Sequence, residues 1–559
     1  MLVRNQLAEL VGAAVAAAQA AGDLPAFDIP PIEIGRPKDP KHGDFSSTVA
    51  MQAAKAARLA PLAIANAVVK HLPPSELCES ADVLPPGFIN IRLNPRWLAR
   101  LVETIETEGM AYGNVDLGRG RTCQVEFISA NPTGPLHMGS ARNAVLGDAV
   151  ASVLEAAGWQ IQREYYLNDA GAQMAAFAET LYRRYKQSFG QDAPLEPTHY
   201  QGAYMLDLAE QVRAAHGDRF LSLPEEQAIA ELSGIGRDMV VAGIAASVER
   251  LGIRFDCWFS EKSLYTDGTW ERVLAALRDS GRIAARDGAE WLLTTQFGSD
   301  RDEVLIRSSG QPGYYASDVA YHFNKFALRG FDRVVDVWAV DHQNQARRMP
   351  YLMQALGLEP ARLDILLYDL VRLYRDGKEV KLSKRSGDII TIDEVIDEVG
   401  KDAVRFLLLT RSNQAVIDFD LNLAVQQNDE NPVFYAQYAH ARMASILRTA
   451  AERGFHAADF AAGDLDLLTH PAELTLLRKM ADLSEVIEKA ATQLAPHGLA
   501  FYLQELAATF HAFYRDCRVV SSDPADAELS RARLRLVAAT KNVFARVLTL
   551  LGVSAPESM

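Results

Sequence analysis

Cysteine is scarce: four residues in 559, at Cys78, Cys123, Cys257 and Cys517, with no CxxC pair and no histidine nearby at metal-ligand spacing. That excludes a disulfide framework and a structural zinc site, and it reads as reduced, mostly buried thiols of a cytoplasmic protein. Long apolar runs are also missing, since nothing approaches the ~18 residues of a membrane span. The nearest imitation of a targeting segment is "VGAAVAAAQAAG". Here Leu7, Leu10, Ala14 and Val15 fall on one helical face opposite Arg4, Asn5 and Glu9, the pattern of an amphipathic helix rather than a signal-peptide core. An excess of positive charge is absent too: Lys+Arg 57 against Asp+Glu 72 gives a formal net charge of −15. This argues against nonspecific coating of DNA or an anionic membrane, and leaves room for a local basic surface that meets a polyanion.

What is present is an ordinary globular composition, 49% hydrophobic and 23% charged, in a chain long enough for three or four domains. Residues 1–112 read as a small α+β unit: an alanine-rich helix, the loop "PPIEIGRPKDPKHGD", a second alanine-rich helix, and a strand "GFINIRL" alternating Phe88, Asn90 and Arg92 against Ile89, Ile91 and Leu93. The polar break "GNVDLGRGR" marks a boundary. Residues 113–410 alternate strand and helix patterns, which predicts an α/β, Rossmann-like doubly wound parallel sheet with a helical insertion at roughly 175–255. Residues 411–559 read as all-helical, and no internal repeat is evident.

Two stretches carry chemistry. In "CQVEFISANPTGPLHMGSARNAVLGD" a strand ends near Ser129, a Pro/Gly turn follows, and a helix begins near Gly139. A helix N-terminus at the carboxyl end of a strand presents free N–H groups and a favourable dipole to phosphate. Gly139 permits close approach and His137 supplies a donor; read alone, the stretch is equally an ordinary turn with an incidental histidine. The second stretch, "DGKEVKLSKRSGD", follows an expected strand "DILLYDLVRLY" and places Lys381, Ser383, Lys384 and Arg385 in one loop. Two lysines there can surround a polyphosphate as its charge develops, although a lone charged loop is more often a solvated surface.

Together "HMGS" and "KLSKR", 244 residues apart, resemble the HIGH and KMSKS motifs of class I aminoacyl-tRNA synthetases. "SANPTGPLHMG", "EYYLNDAGAQ", "VKLSKRSGD", "NPVFYAQYAHAR" and "LLGVSAPESM" look like bacterial arginyl-tRNA synthetase. "KHGDFSSTVAMQAAKAA" with "GFINIRL" looks like that family's N-terminal tRNA-binding domain, so the resemblance spans the chain.

The resemblance implies ATP, with Mg²⁺ as part of the substrate and no permanent cofactor or zinc, bound by His137, Gly139, Lys381, Ser383 and Lys384; His137, Gly139, Ser140, Lys381 and Lys384 would be catalytic. L-arginine would meet Ser129, Asn131, Glu261, Tyr314, Asp318 and His342, with two carboxylates in fork geometry on the guanidinium. Tyr314, four before Asp318, is expected on the same helical face. Without the resemblance, Glu261 and Asp318 are surface carboxylates that nothing local links. The tRNA(Arg) partner would meet Phe88 and Asn90 at its D-loop, and Tyr435, Tyr438, Arg442, Tyr514 and Met559 at its anticodon. Tyr435, Tyr438 and Arg442 at i, i+3 and i+7 also fit a packed helix face. A monomer is expected from the family.

Two departures fall in the expected active site. Ser140 replaces the second histidine of the HIGH motif; losing a charge-assisted hydrogen bond there is worth ~1.5–3 kcal/mol, roughly 10- to 150-fold in activation. The family's "ADHHGY" reads "VDHQNQ", with Asn344 for glycine and Gln345 for tyrosine. These leave three readings: a working arginyl-tRNA synthetase with a tuned site, a paralogue specialised for another pathway or for resistance, and a non-catalytic tRNA-binding relative.

Overall fold

The computed structural model describes residues 2–380 and 390–559, so Lys381, Ser383, Lys384 and Arg385 lie outside the described residues. The N-terminal helix Val3–Ala20 buries Leu7, Val11, Ala14, Val15 and Ala18, the face its apolar spacing predicts. It packs against the helix Pro61–Lys70 and the edge of an antiparallel sheet. That sheet comprises β1 (Ile34–Gly35), β2 (Phe45–Ser47), β3 (Cys78–Leu84) and β4 (Phe88–Leu93), in the order β1-β2-β4-β3.

The central sheet is built from β5 (Thr122–Glu126), β6 (Gln160–Leu167), β7 (Cys257–Ser260), β11 (Arg333–Ala339) and β12 (Leu363–Tyr368). Its order is β12-β11-β5-β6-β7 and every pairing is parallel. From β5 the chain winds out to β7, then returns to β11 on the other side. The strand order therefore reverses between β5 and β11, the point at which open α/β sheets leave a crevice beyond their strand ends. The crossover helix Met138–Ala156 is buried almost all round. Gly147 lets it seat on the end of β5, since a Cβ there would stand 2.3 Å from the Phe127 ring. Between β6 and β7 the helices Ala172–Ser188, Tyr204–His216 and Glu225–Arg250 form the insertion.

Three features differ from expectation. A small antiparallel sheet, β8 (Ile283–Arg286), β9 (Ala289–Leu292) and β10 (Glu303–Ile306), interrupts the α/β alternation. The run "DILLYDLVRLY" is two strands in two sheets: β12 stays in the parallel sheet, and β13 (Val371–Arg375) pairs with β14 (Lys378–Val380) and β15 (Ile417–Asp420). The cause of the break is the buried guanidinium of Arg142, which donates to the carbonyls of Asp369 and Leu370 and to those of Ser412, Asn413 and Ala415. Because β15 pairs with β13, the uninterrupted helical region begins after Asp420, later than the expected 411.

The C-terminal helices Pro432–Glu452, Pro471–Ala481, Leu483–Gln493, His497–Asp516 and Ala527–Leu550 pack together and hold the N-terminal unit. Arg478 pairs with Asp44 at 2.6 Å, Arg535 with Glu106 at 2.7 Å, and the Tyr112 hydroxyl donates to the Met480 carbonyl at 3.1 Å. Among the described residues no helix is long and apolar enough to cross a membrane.

Candidate functional site

His137 is the N-cap of the helix Met138–Ala156, and its Nδ1 accepts the Gly139 N–H at 3.1 Å. Glycine favours that approach, because a Cβ on residue 139 would lie 2.9 Å from the His137 ring and push it aside. The Leu136 carbonyl accepts the Ile392 N–H at 3.0 Å, and His137 forms an isolated antiparallel bridge with Thr391. The helix N-terminus and the residues that follow the lysine-rich stretch in sequence are thereby held side by side. Ser140 is buried in the first turn, and its hydroxyl makes no hydrogen bond to the described residues. Asn143, one turn on, spans the point of reversal: its Oδ1 accepts the Ile128 N–H at 2.6 Å and its Nδ2 donates to the Val337 carbonyl at 2.9 Å.

The structure brings Glu261, just after β7, close enough to Asp318 on the helix Ala316–Phe323 for its charge to act on that carboxyl. The Ser317 hydroxyl donates to Glu261 Oε1 at 2.6 Å and stands 2.8 Å from the Tyr265 hydroxyl. Gln345 Nε2 donates to Asp318 Oδ2 at 2.6 Å. Burial pushes the Asp318 carboxyl up to about 6, with the negative charges of Asp336 and Glu261 adding to the rise. Burial raises Glu261 as well. Among the described residues neither carboxylate has an ion-pair partner among Lys and Arg. Two desolvated like charges without a counterion are a place prepared for a cation.

Other expected arginine contacts divide. Asn131 is half-buried and its amide donates to Gln173 Oε1. The Ser129 hydroxyl is committed inward, donating to Glu126 Oε1 at 2.8 Å and accepting the Tyr166 N–H at 3.2 Å. Tyr314 departs from expectation. It precedes the helix, whose N-cap is Tyr315, so it shares no helical face with Asp318 and stands 71% exposed. His342 is exposed, with its Nδ1 3.3 Å from Gln345 Oε1.

Beneath this pocket lies a buried charge cluster that the sequence reading missed. Lys325 Nζ donates at 2.7 Å to both Glu126 Oε2 on β5 and Asp336 Oδ1 on β11, and sits 4.0 Å from the Tyr321 ring. His322 Nε2 lies 2.9 Å from Asp336 Oδ2, while Arg329 and the Tyr321 hydroxyl bind Glu164 on β6. Burial pushes Glu126 up to about 7 against the pull of Lys325. Asp336 is held well below the usual carboxylate range: burial opposes ionisation, but the ammonium of Lys325 and the hydrogen bond from His322 outweigh it.

Of the expected RNA contacts, Phe88 is half-buried at the start of β4. Asn90 is only 4% exposed, because β4 is an inner strand and Asn90 sits in register between Ser46 of β2 and Asp82 of β3; the expected outward alternation fails there. In the helical region, Tyr438, Arg442, Tyr514 and Met559 converge on one cleft of about 840 Å³. The Arg442 guanidinium lies 4.7 Å from the Tyr514 ring centroid. Arg448, Arg453, Arg515 and Arg518, which sequence reasoning did not single out, line the same cleft. Tyr435 faces a different cleft, its ring 5.5 Å from that of His511. The basic charge missing from the chain as a whole is thus concentrated locally around exposed aromatics, a surface suited to unpaired nucleotides.

Comparison with known proteins covers the whole chain. Residues 5–93 match the arginyl tRNA synthetase N terminal domain, 102–445 the catalytic domain of tRNA synthetases class I (R), and 436–559 the DALR anticodon binding domain. The chain is 44% identical to arginine--tRNA ligase of Dehalococcoides mccartyi (strain CBDB1), over 100% of this chain and 99% of that one. It is 45% identical to the arginine--tRNA ligase of Syntrophotalea carbinolica, over 100% of both. The arginyl-tRNA synthetase structure from Thermus thermophilus superposes with a TM-score of 0.74 at 26% identity, covering 100% of both chains.

Proposed function

Since the chain belongs to the arginyl-tRNA synthetases, the class I arginine--tRNA ligases, we propose that it joins L-arginine to ATP as arginyl-adenylate at the β5/β11 crevice and passes the arginine to tRNA(Arg). The observation that carries the assignment of the amino-acid pocket is the pair of half-buried carboxylates, Glu261 and Asp318, with no Lys or Arg partner among the described residues. A planar guanidinium with five donors satisfies both, whereas a lysine ammonium is a point charge that cannot bridge them in fork geometry.

In this reading the phosphates of MgATP lie at the helix N-terminus beside His137 and Gly139, with Lys381, Ser383 and Lys384, a few residues before Thr391 in sequence, supplying charge and hydrogen bonds. Arginine's carboxylate attacks the α-phosphate, pyrophosphate leaves, and positioning plus charge stabilisation supply the catalysis without a covalent enzyme intermediate. Asn131 and His342 flank the amino-acid moiety; Ser129 acts through Glu126 by holding the β5 end. The cleft of Tyr438, Arg442, Tyr514 and Met559 takes anticodon nucleotides, Tyr435 lines a neighbouring cleft, and Phe88 marks the N-terminal RNA-facing region, with Asn90 buried in the same strand. The protein works as a cytoplasmic monomer. Nothing observed favours a non-catalytic or specialised relative over this reading.

Aminoacylation of total tRNA with labelled arginine tests it. Arginylation by the intact protein that disappears in Glu261→Gln and Asp318→Asn supports the reading; arginylation unaffected by both substitutions overturns the assignment of the pocket.

A further inference from the structure

Gln345 closes the stretch "VDHQNQ", and the structure gives its amide two partners. Its Nε2 donates to Asp318 Oδ2 at 2.6 Å, and its Oε1 lies 3.3 Å from His342 Nδ1. An ionised carboxylate only accepts hydrogen bonds, so the NH₂ end of the amide must face Asp318 and the carbonyl end must face His342. His342 then carries its proton on Nδ1 and donates to Gln345. One amide therefore links an exposed histidine to the half-buried carboxylate of Asp318.

We propose that Gln345 is a specificity-determining positioning residue, whose amide fixes Asp318 in the rotamer that meets a guanidinium and links that rotamer to His342. The inference rests on the reading of Asp318 as an arginine ligand. With Oδ2 engaged by Gln345, Oδ1 is left for the substrate, while Glu261 accepts from the Ser317 hydroxyl at Oε1 and from Tyr166 as well. Each carboxylate is thus held in place by protein donors, which sets two separated acidic groups before a two-sided donor such as a guanidinium.

The same contact bears on ionisation. Burial dominates the rise of the Asp318 carboxyl to about 6; Asp336 and Glu261 add to it, and His322 and the Gln345 amide oppose it. The other titratable groups facing Asp318 are Tyr166, Tyr265 and Tyr315, all pushed up by burial with Asp318 contributing. Removing the Gln345 donor leaves only His322 to favour the charged form, so the carboxyl titrates nearer neutrality.

The test pairs Gln345→Met, which keeps length and packing but has no donor, with Gln345→Glu, which replaces the donor by an acceptor. The readout is arginine-dependent ATP–pyrophosphate exchange with tRNA, from pH 5.5 to 8.5. For Gln345→Met the expected result is an arginine KM raised about 10-fold, kcat little changed, and an acid limb of kcat/KM displaced to higher pH. Gln345→Glu is expected to be weaker still for arginine at neutral pH. Gln345→Met with the parental KM and parental acid limb overturns the inference. Asp318→Asn run alongside separates the two levels: if it too leaves the arginine KM unchanged, the reading of Asp318 itself has failed, whereas a large rise with an unaffected Gln345→Met defeats the role of Gln345 alone.

Discussion

Lys325 Nζ sits 2.7 Å from Asp336 Oδ1, and both side chains are fully buried. The same ammonium binds Glu126, so it ties β5 to β11 at the point where the strand order reverses. Removing one partner of a buried ion pair leaves an uncompensated charge and typically costs about 3–5 kcal/mol. Lys325→Met is therefore expected to lower stability to urea by that order. A loss below about 1 kcal/mol would show that the cluster contributes little to the fold.

Glu261→Gln and Asp318→Asn each leave a cationic substrate short of one carboxylate. Truncating one partner of a desolvated, hydrogen-bonded charge pair costs about 2–5 kcal/mol, so the arginine KM is expected to rise at least roughly 30-fold. The Kd for tRNA should stay unchanged, because the arginine-lined cleft of the C-terminal helices is built from other elements. Loss of tRNA affinity in step with arginine would point to collapse of the domain instead.

Arginine affinity should depend on pH in a defined direction. A bound cation favours the ionised form of Asp318, so its pKa falls on binding from the free value of about 6. Affinity is then fully present above pH 6 and declines as the pH drops through that value, approaching tenfold per unit. Calorimetric titration with arginine between pH 5 and 8 reads this directly. Affinity that is flat across the range contradicts the assignment of Asp318.

Arg442→Ala removes a guanidinium from the Tyr514 ring and a cation from the cleft. Stacking on unpaired bases is worth about 1–3 kcal/mol per base, so Arg442→Ala and Tyr438→Ala should each raise the tRNA KM roughly 5- to 150-fold. The arginine KM should not move. Tyr435→Ala should have less effect, since Tyr435 faces another cleft.

Ser140 lies in the first turn of the helix Met138–Ala156, and its hydroxyl makes no hydrogen bond to the described residues. Ser140→His is expected to accelerate adenylate formation roughly 10-fold or more with tRNA affinity unchanged. Slower activation would show that the buried space around residue 140 is shaped for serine.

The readable parts of this protein are those with local causes. The helix beginning at Met138 follows from a turn, a capping histidine and Gly139 within five residues, and the buried face of Val3–Ala20 follows from its apolar spacing. Arg142 was opaque, because its five carbonyl partners lie 227 to 273 residues away. For the same reason "DILLYDLVRLY" looked like one strand: the break at Asp369 and Leu370 is imposed from the crossover helix. Tyr314 and Asn90 misled for opposite reasons. The helix starts two residues too late to carry Tyr314, and β4 is covered on both edges where alternation alone suggested an open face. Glu261 and Asp318 were reachable only by resemblance, since 57 residues and a small antiparallel sheet separate them.

The most direct measurement is ATP–pyrophosphate exchange in the presence of tRNA, with arginine, lysine, ornithine and canavanine compared at pH 7.5. The two-carboxylate pocket predicts exchange with arginine and none above background with lysine or ornithine, whose ammonium groups cannot engage both acid side chains in fork geometry. Exchange that is equal for lysine and arginine, or absent with all four, would contradict it.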